Sequence, residues 1–193
     1  LEEVREGTPL GRIIANGAKF AGQAFGVDRV PEVKNQAMSA YDPRAIKGIG
    51  FTYATTPMGA DHTAGYTVLA ETFGGLDPRD TDKAGLSRDA QLFTAALDSI
   101  GHCMQMSDAV LEIENGMDGL VEEVSGVLGV EMTPDDLIEM GHEVIMKERE
   151  FNEAAGICKE DDRIPEFIRN EKLPPSDEVF DVSEEELTEF WES

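Results

Sequence analysis

Thr133-Pro134-Asp135-Asp136-Leu137-Ile138-Glu139-Met140-Gly141-His142-Glu143-Val144-Ile145-Met146-Lys147-Glu148-Arg149-Glu150-Phe151 decides the fold class. A hydroxyl at the N-cap, a proline at the first helical position and two carboxylates on the positive end of the dipole make it the best helix start in the chain. Leu137, Met140, Val144, Ile145, Glu148 and Phe151 then recur at helical spacing, and Gly156 marks the stop. Working outward, the same signals repeat. Thr8-Pro9 caps a run through Leu10, Ile13, Ile14, Ala18 and Ala21 that Gly26 ends. Asp42-Pro43 repeats the cap and proline before Ile46, Ile49, Gly50 and Tyr53. Ser87 caps a stripe of Ala90, Phe93, Leu97 and Ile100 that Gly101 ends, and Ser183 with Glu186 forms a capping box before a last short helix.

Shorter helices are expected from about residue 63 to 71, 108 to 113 and 120 to 128. Residues 74–85 read as a loop rich in Asp, Gly and Pro. Val30-Pro31 opens a connector that is extended up to Ala40. Period-two alternation is almost absent and there is no internal repeat. The expected fold is mainly α, a multi-helix orthogonal bundle with long irregular connectors and little or no sheet. Residues 1–40 read as the end of one helical domain and 41–193 as a second, the two being compatible with one continuous globule.

Composition narrows the function classes. The 193 residues carry a net charge of −24, which makes nucleic acid and anionic membranes poor partners. No run approaches the roughly 18 apolar residues of a membrane span. The charge is uneven: residues 1–53 hold seven Lys or Arg against six Asp or Glu, whereas residues 131–193 hold six against 21. The acidic end reads as a solvated face, or as adaptation to a salty cytoplasm. The near-neutral start suits packing on other protein or on an anionic cofactor. Two cysteines, Cys103 and Cys158, give no disulfide framework, and a reducing cytoplasm is the expected location. Leu1-Glu2-Glu3-Val4 has neither a basic start nor an initiator Met and is expected of a fragment.

Two clusters stand out chemically. Asp98-Ser99-Ile100-Gly101-His102-Cys103 gathers a carboxylate, an imidazole and a thiol at a helix end. The carboxylate can accept paired N–H bonds from a flat heterocycle, and the thiolate can bind a soft metal. The bland alternative is a helix stop with His102 on the dipole and Cys103 buried as a small hydrophobe. Gly59-Ala60-Asp61-His62 offers His62 as a general acid or base, or as a loop histidine held by Asp61. Asp80-Thr81-Asp82-Lys83-Ala84-Gly85 with Gln91 at the twelfth place is a poor match to a calcium loop and reads as acidic surface. His142 is expected to be structural or solvated, Glu148-Arg149-Glu150 to form exposed ion pairs, and Cys158 to have no role.

Taken together these motifs resemble a family. Tyr41-Asp42-Pro43-Arg44, Gly48, Tyr53-Ala54-Thr55, Pro57 and Gly59-Ala60-Asp61-His62 are similar to a signature of the tungsten-dependent aldehyde:ferredoxin oxidoreductases. Asp98 to Cys103 resembles that family's DxxGLC motif. Gly141-His142-Glu143-Val144-Ile145, Glu148-Arg149-Glu150-Phe151-Asn152 with Gly156, and Asp161-Asp162-Arg163-Ile164-Pro165 resemble its later blocks, in the same order. The resemblance covers the family's C-terminal helical part. It implies oxidation of aldehydes to carboxylic acids, with electrons passing to ferredoxin.

It also implies roles. Asp98, Gly101, Cys103 and Met104 would contact the pterin of a tungstopterin (or molybdopterin) cofactor. Cys103 would be one thiolate ligand of a four-iron four-sulfur cluster. His62 would be the catalytic proton-transfer or substrate-orienting group. The family's other three cluster cysteines and its β-rich N-terminal domain have no match here. The expectation is therefore that residues 1–193 alone bind neither cofactor and are inactive, their partners being the N-terminal domains of the same polypeptide. A homodimer is compatible with this. His102, Met58 and Ala155 depart from the pattern, standing where Leu, Arg and Arg are usual. The rival reading is an acidic helical interaction module without chemistry.

Overall fold

The computed structural model describes residues 1–192. Its elements run α1 (Glu2–Glu6), α2 (Pro9–Ala15), α3 (Gly17–Phe25), β1 (Glu32–Val33), β2 (Gln36–Ala37), α4 (Lys47–Thr55) and α5 (Val68–Thr72). They continue α6 (Ala84–Ile100), α7 (Ser107–Glu112), α8 (Gly116–Leu128), α9 (Pro134–Ala154), α10 (Glu166–Asn170) and α11 (Glu184–Thr188). Three short 3-10 turns lie at Thr63–Gly65, Met104–Met106 and Lys159–Asp161. The fold is mainly α, and the single antiparallel hairpin β1–β2 is the one sheet among the described residues. Among them, no helix is long and apolar enough to cross a membrane.

The strongest sequence signals produce the expected caps. The Thr133 hydroxyl accepts from the Asp136 N–H while the Asp136 carboxylate accepts from the Thr133 N–H, and Ser183 and Glu186 do the same for α11. Thr8 caps α2, accepting from the Gly11 N–H at 3.1 Å. Other expectations are corrected. The run from Pro9 breaks at Asn16, which ends α2 and begins α3. Asp42 does not start α4; its carboxylate instead turns back onto the Arg44 guanidinium, with Nε at 2.9 Å and Nη2 at 2.7 Å. Helix α6 begins three residues before Ser87, whose side chain lies buried inside the molecule and meets the Thr52 hydroxyl at 2.8 Å.

Helix α4 organises the larger core. All nine of its residues are buried, so the single apolar face expected from Ile46, Ile49 and Tyr53 is a helix enclosed on every side. Ile49, Phe51 and Tyr53 pack with Val33, Val68, Ile164, Ile168, Phe180, Leu187 and Phe190. A second core forms where Phe93, Ala96 and Leu97 of α6 meet Leu137 of α9 and Leu120 and Val121 of α8. Burial of each such side chain contributes roughly 1.5–3 kcal/mol.

The C-terminal carbonyls of α4 have no partners within the helix, and an enclosed helix end must find them elsewhere. Lys34 Nζ donates to the Ala54 and Thr56 carbonyls, both at 2.8 Å. Arg149 Nη1 and Trp191 Nε1 donate to the Thr55 carbonyl at 3.1 and 3.0 Å. Asn152 Nδ2 reaches the Pro57 carbonyl at 2.8 Å. Two cations at the negative end of the dipole are electrostatically favourable, and together these donors fix the start of the loop that carries His62. Arg149 therefore does not form the exposed ion pair expected of Glu148-Arg149-Glu150: its Nη2 lies 2.8 Å from the buried Asp162.

Candidate functional site

The loop after α4 is shaped by the β1–β2 hairpin. Gly59 takes a positive φ of 93°, and a Cβ there would fall 2.3 Å from the Val33 carbonyl oxygen, so glycine is needed both for the turn and for the close approach. The loop then presents Asp61 and His62. Both Asp61 carboxylate oxygens bond the Thr63 hydroxyl, and Oδ1 also accepts from the Thr63 N–H, locking a tight turn. His62 Nδ1 lies 2.7 Å from the Ser39 hydroxyl and only within 3.7 Å of Asp61. Its ring sits between Tyr41 (centroids 5.4 Å apart) and Tyr66 (6.0 Å), and Tyr66 donates to Tyr41 at 3.1 Å. That hydrogen bond, together with burial, pushes the Tyr66 phenol up to about 12.

Beside this loop, α6 and α9 enclose a groove of about 290 Å³. Asp61 and Thr63 of the loop, Gln91, Thr94, Asp98 and Ser99 of α6 and Glu148 of α9 supply its polar lining, and no lysine or arginine lines it. Burial first, and then Asp61, pushes the Asp98 carboxyl above the usual carboxylate range. Burial and the Asp98 charge do the same to Glu148. Asp98 also stands in the last turn of α6, where the dipole disfavours a negative charge. Deep in the groove, Gln91 is 1% exposed; its amide nitrogen donates to the Thr55 and Ser87 hydroxyls at 2.9 and 3.1 Å, and its carbonyl oxygen has no partner. The groove thus offers acceptors in excess of donors, the complement of a ligand rich in N–H groups.

Gly101 ends α6 in the left-handed conformation with open space around it. Cys103 follows as an exposed free thiol, which excludes the buried small hydrophobe weighed from sequence. Met104 does not join Asp98. It lines a separate apolar groove of about 320 Å³ with Tyr66, Phe93, Leu111, Met117 and Ile138. The structure thus brings Asp98 together with Asp61 and Glu148, sets His62 one residue along from Asp61, and places Cys103 and Met104 beyond the end of α6.

The sequence put Glu148 in an exposed ion pair and a family block and Gln91 at the end of a poor calcium loop, and gave Ser39 no signal. Glu148 sits on the groove only because α9 packs on α6, and Gln91 lies inside α6 rather than at the end of a calcium loop. His142 pairs loosely with Glu139 at 3.7 Å on the surface, as expected. Cys158 is exposed in a different hollow, beside Lys34 and Trp191. Among the described residues, no group of three His, Cys, Asp or Glu side chains can hold a metal ion.

Residues 1–193 match the family described as aldehyde ferredoxin oxidoreductase, domains 2 and 3. The chain belongs to the aldehyde ferredoxin oxidoreductase family. It is 30% identical over 177 residues to the tungsten-containing aldehyde ferredoxin oxidoreductase of Pyrococcus horikoshii, covering 88% of this chain and 28% of that relative. The Pyrococcus furiosus enzyme of the same description is 29% identical over 181 residues, covering 90% of this chain and 29% of its own length. The Thermococcus kodakarensis counterpart is 26% identical over 181 residues. The chain thus spans under a third of the length of the relatives it matches.

Proposed function

We propose that residues 1–193 form one wall of the cofactor and substrate site of an enzyme that oxidises aldehydes to carboxylic acids and delivers the electrons to ferredoxin. The observation that carries this reading is the acceptor-rich groove at Asp98, with the orphaned Gln91 carbonyl at its base. The amino and ring N–H groups of a pterin supply the donors that Asp98, Glu148 and Gln91 lack, so the residues present fit a tungstopterin or its molybdenum counterpart. When bound, that group supplies the two-electron redox chemistry.

The chain's own residues do the rest. Asp98 would accept from the pterin edge, and Gly101, open on its surface, would let the backbone leading to Cys103 and Met104 come close. Cys103 offers one thiolate. A four-iron cluster takes four, and Cys158 lies in another hollow, so the remaining three belong to polypeptide outside residues 1–193. On its own the chain would therefore hold neither group and be inactive. Its first partner is the rest of the same enzyme, in a cytoplasm reducing enough to keep both thiols free. His62, held between two tyrosines and one-third exposed, is the side chain placed to orient a carbonyl or to hand over a proton.

Metal analysis of the complete polypeptide tests the reading. Tungsten or molybdenum with about four irons per chain supports it, and a protein free of both contradicts it.

A further inference from the structure

We propose that Gln91 is a cofactor-binding residue whose side-chain carbonyl is held as a fixed acceptor for one N–H of the bound heterocycle, and that Ser87 and Thr55 are the positioning residues that hold it. The identity of the ligand rests on the oxidoreductase reading, whereas the hold on the amide stands on geometry alone. Every group involved is buried: Thr52, Thr55 and Ser87 have no exposure and Gln91 has 1%. An amide side chain carries a donor at one end and an acceptor at the other, so its neighbours decide which end is left for a ligand.

A hydroxyl has a single proton to give. Thr55 gives its proton to the Phe51 carbonyl at 2.8 Å, and Thr52 gives its own to the Gly65 carbonyl at 2.8 Å. A carbonyl can only accept, so both directions are fixed. Thr52 therefore accepts in its 2.8 Å contact with Ser87, and the Ser87 proton is spent there. Thr55 and Ser87 are left with lone pairs, and the Gln91 amide nitrogen donates to them at 2.9 and 3.1 Å. Reversing the amide would set its oxygen against two hydroxyls with no proton free, unless the bonds to Phe51 and Gly65 were given up. The Gln91 carbonyl oxygen is thus turned away from both hydroxyls, and it has no partner among the described residues. Gln91, Thr94, Ala95 and Asp98 all line the groove, at the spacing of one face of α6. A buried acceptor on that face is costly until a donor reaches it. Gly65 permits the arrangement, since a Cβ there would fall 2.6 Å from Gln91 Cγ. The relay through Thr52 and Ser87 so ties the amide to the turn that follows His62.

Two measurements test this. In the 15N-labelled chain, the Gln91 side-chain amide protons are expected to show through-space magnetic contacts to the Thr55 and Ser87 side chains. Amide protons that show neither contact overturn the fixed orientation. Ser87→Ala, which frees one side of the amide, should also weaken the contact to Thr55, and an unchanged contact would remove Ser87 from the positioning role. In the complete polypeptide, Gln91→Met keeps the length of the side chain and removes its acceptor. Release of pterin, followed by its fluorescence in urea below the unfolding transition, should be about tenfold faster than from wild type, as one lost hydrogen bond implies. A loaded wild type whose Gln91→Met variant releases pterin at the same rate overturns the proposal and leaves the oxidoreductase reading standing. A wild type free of pterin overturns both.

Discussion

Asp98 on α6 and Glu148 on α9 share one groove, and the Asp98 charge adds to the burial that raises the cost of ionising Glu148 in a space that no lysine or arginine lines. Neither placement helps the fold. Asp98 opposes the dipole of its own helix, and Glu148 is half-sheltered against a like charge. Residues kept against local energetics are expected where a ligand compensates.

The pair makes stability depend on pH in a predictable direction. Both folded carboxyls titrate above their ordinary values of 3.8 and 4.5. The folded state therefore holds these protons more tightly, and stability falls as pH rises from those values through the raised ones. Urea unfolding of wild type against Asp98→Asn/Glu148→Gln should show the variant gaining on wild type across that window, by less than about 1 kcal/mol once solvent screening of partly exposed charges is allowed for. Parallel curves would contradict the shared-charge description.

Asp162 is expected to be the most sensitive charged position in the chain. It is 1% exposed and meets Lys34 Nζ at 2.5 Å and Arg149 Nη2 at 2.8 Å. Burial already pushes the Lys34 ammonium down, and Asp162 is the partner that resists this. Asp162→Ala leaves that cation enclosed and should cost about 3–5 kcal/mol in denaturant unfolding. It should also raise amide exchange through 56–62, because the same lysine caps the Ala54 and Thr56 carbonyls.

Gly141 tests the contact that builds the groove. A Cβ there would lie 2.2 Å from the Leu92 carbonyl oxygen and 3.1 Å from the Ala96 nitrogen. Gly141→Ala should wedge α9 off α6 and destabilise the chain by about 1–3 kcal/mol, read as a lower urea midpoint. An unchanged midpoint would mean that the helices are not in direct backbone contact at this point.

Both thiols are exposed and should be alkylated without denaturant. They should differ in rate, since the neighbouring Glu160 carboxylate raises the Cys158 thiol and lowers its thiolate fraction. Pulse labelling followed by mass spectrometry near neutral pH should find Cys103 modified first. Protection of Cys103 would remove the accessibility that a cluster ligand requires.

What could be read from sequence was local. The caps at Thr8, Thr133 and Ser183 depend on residues three positions away, and all three formed. Asp42 failed as a cap because its carboxylate found the Arg44 guanidinium instead, and Ser87 failed because Thr52, far off in sequence, competes for its hydroxyl. Asp98, Cys103 and His62 stood out locally as a carboxylate, a thiol and an imidazole, and the family resemblance supplied the roles proposed for them. The surroundings of Glu148, Gln91 and Ser39 were not legible, since each takes its place from an element packed against it across the fold.

The most direct test of the account is the iron content and visible absorbance of the complete polypeptide carrying Cys103→Ala, measured beside wild type. The account predicts a lost or incomplete iron–sulfur chromophore in a protein that still folds. An unchanged iron content and spectrum would contradict it.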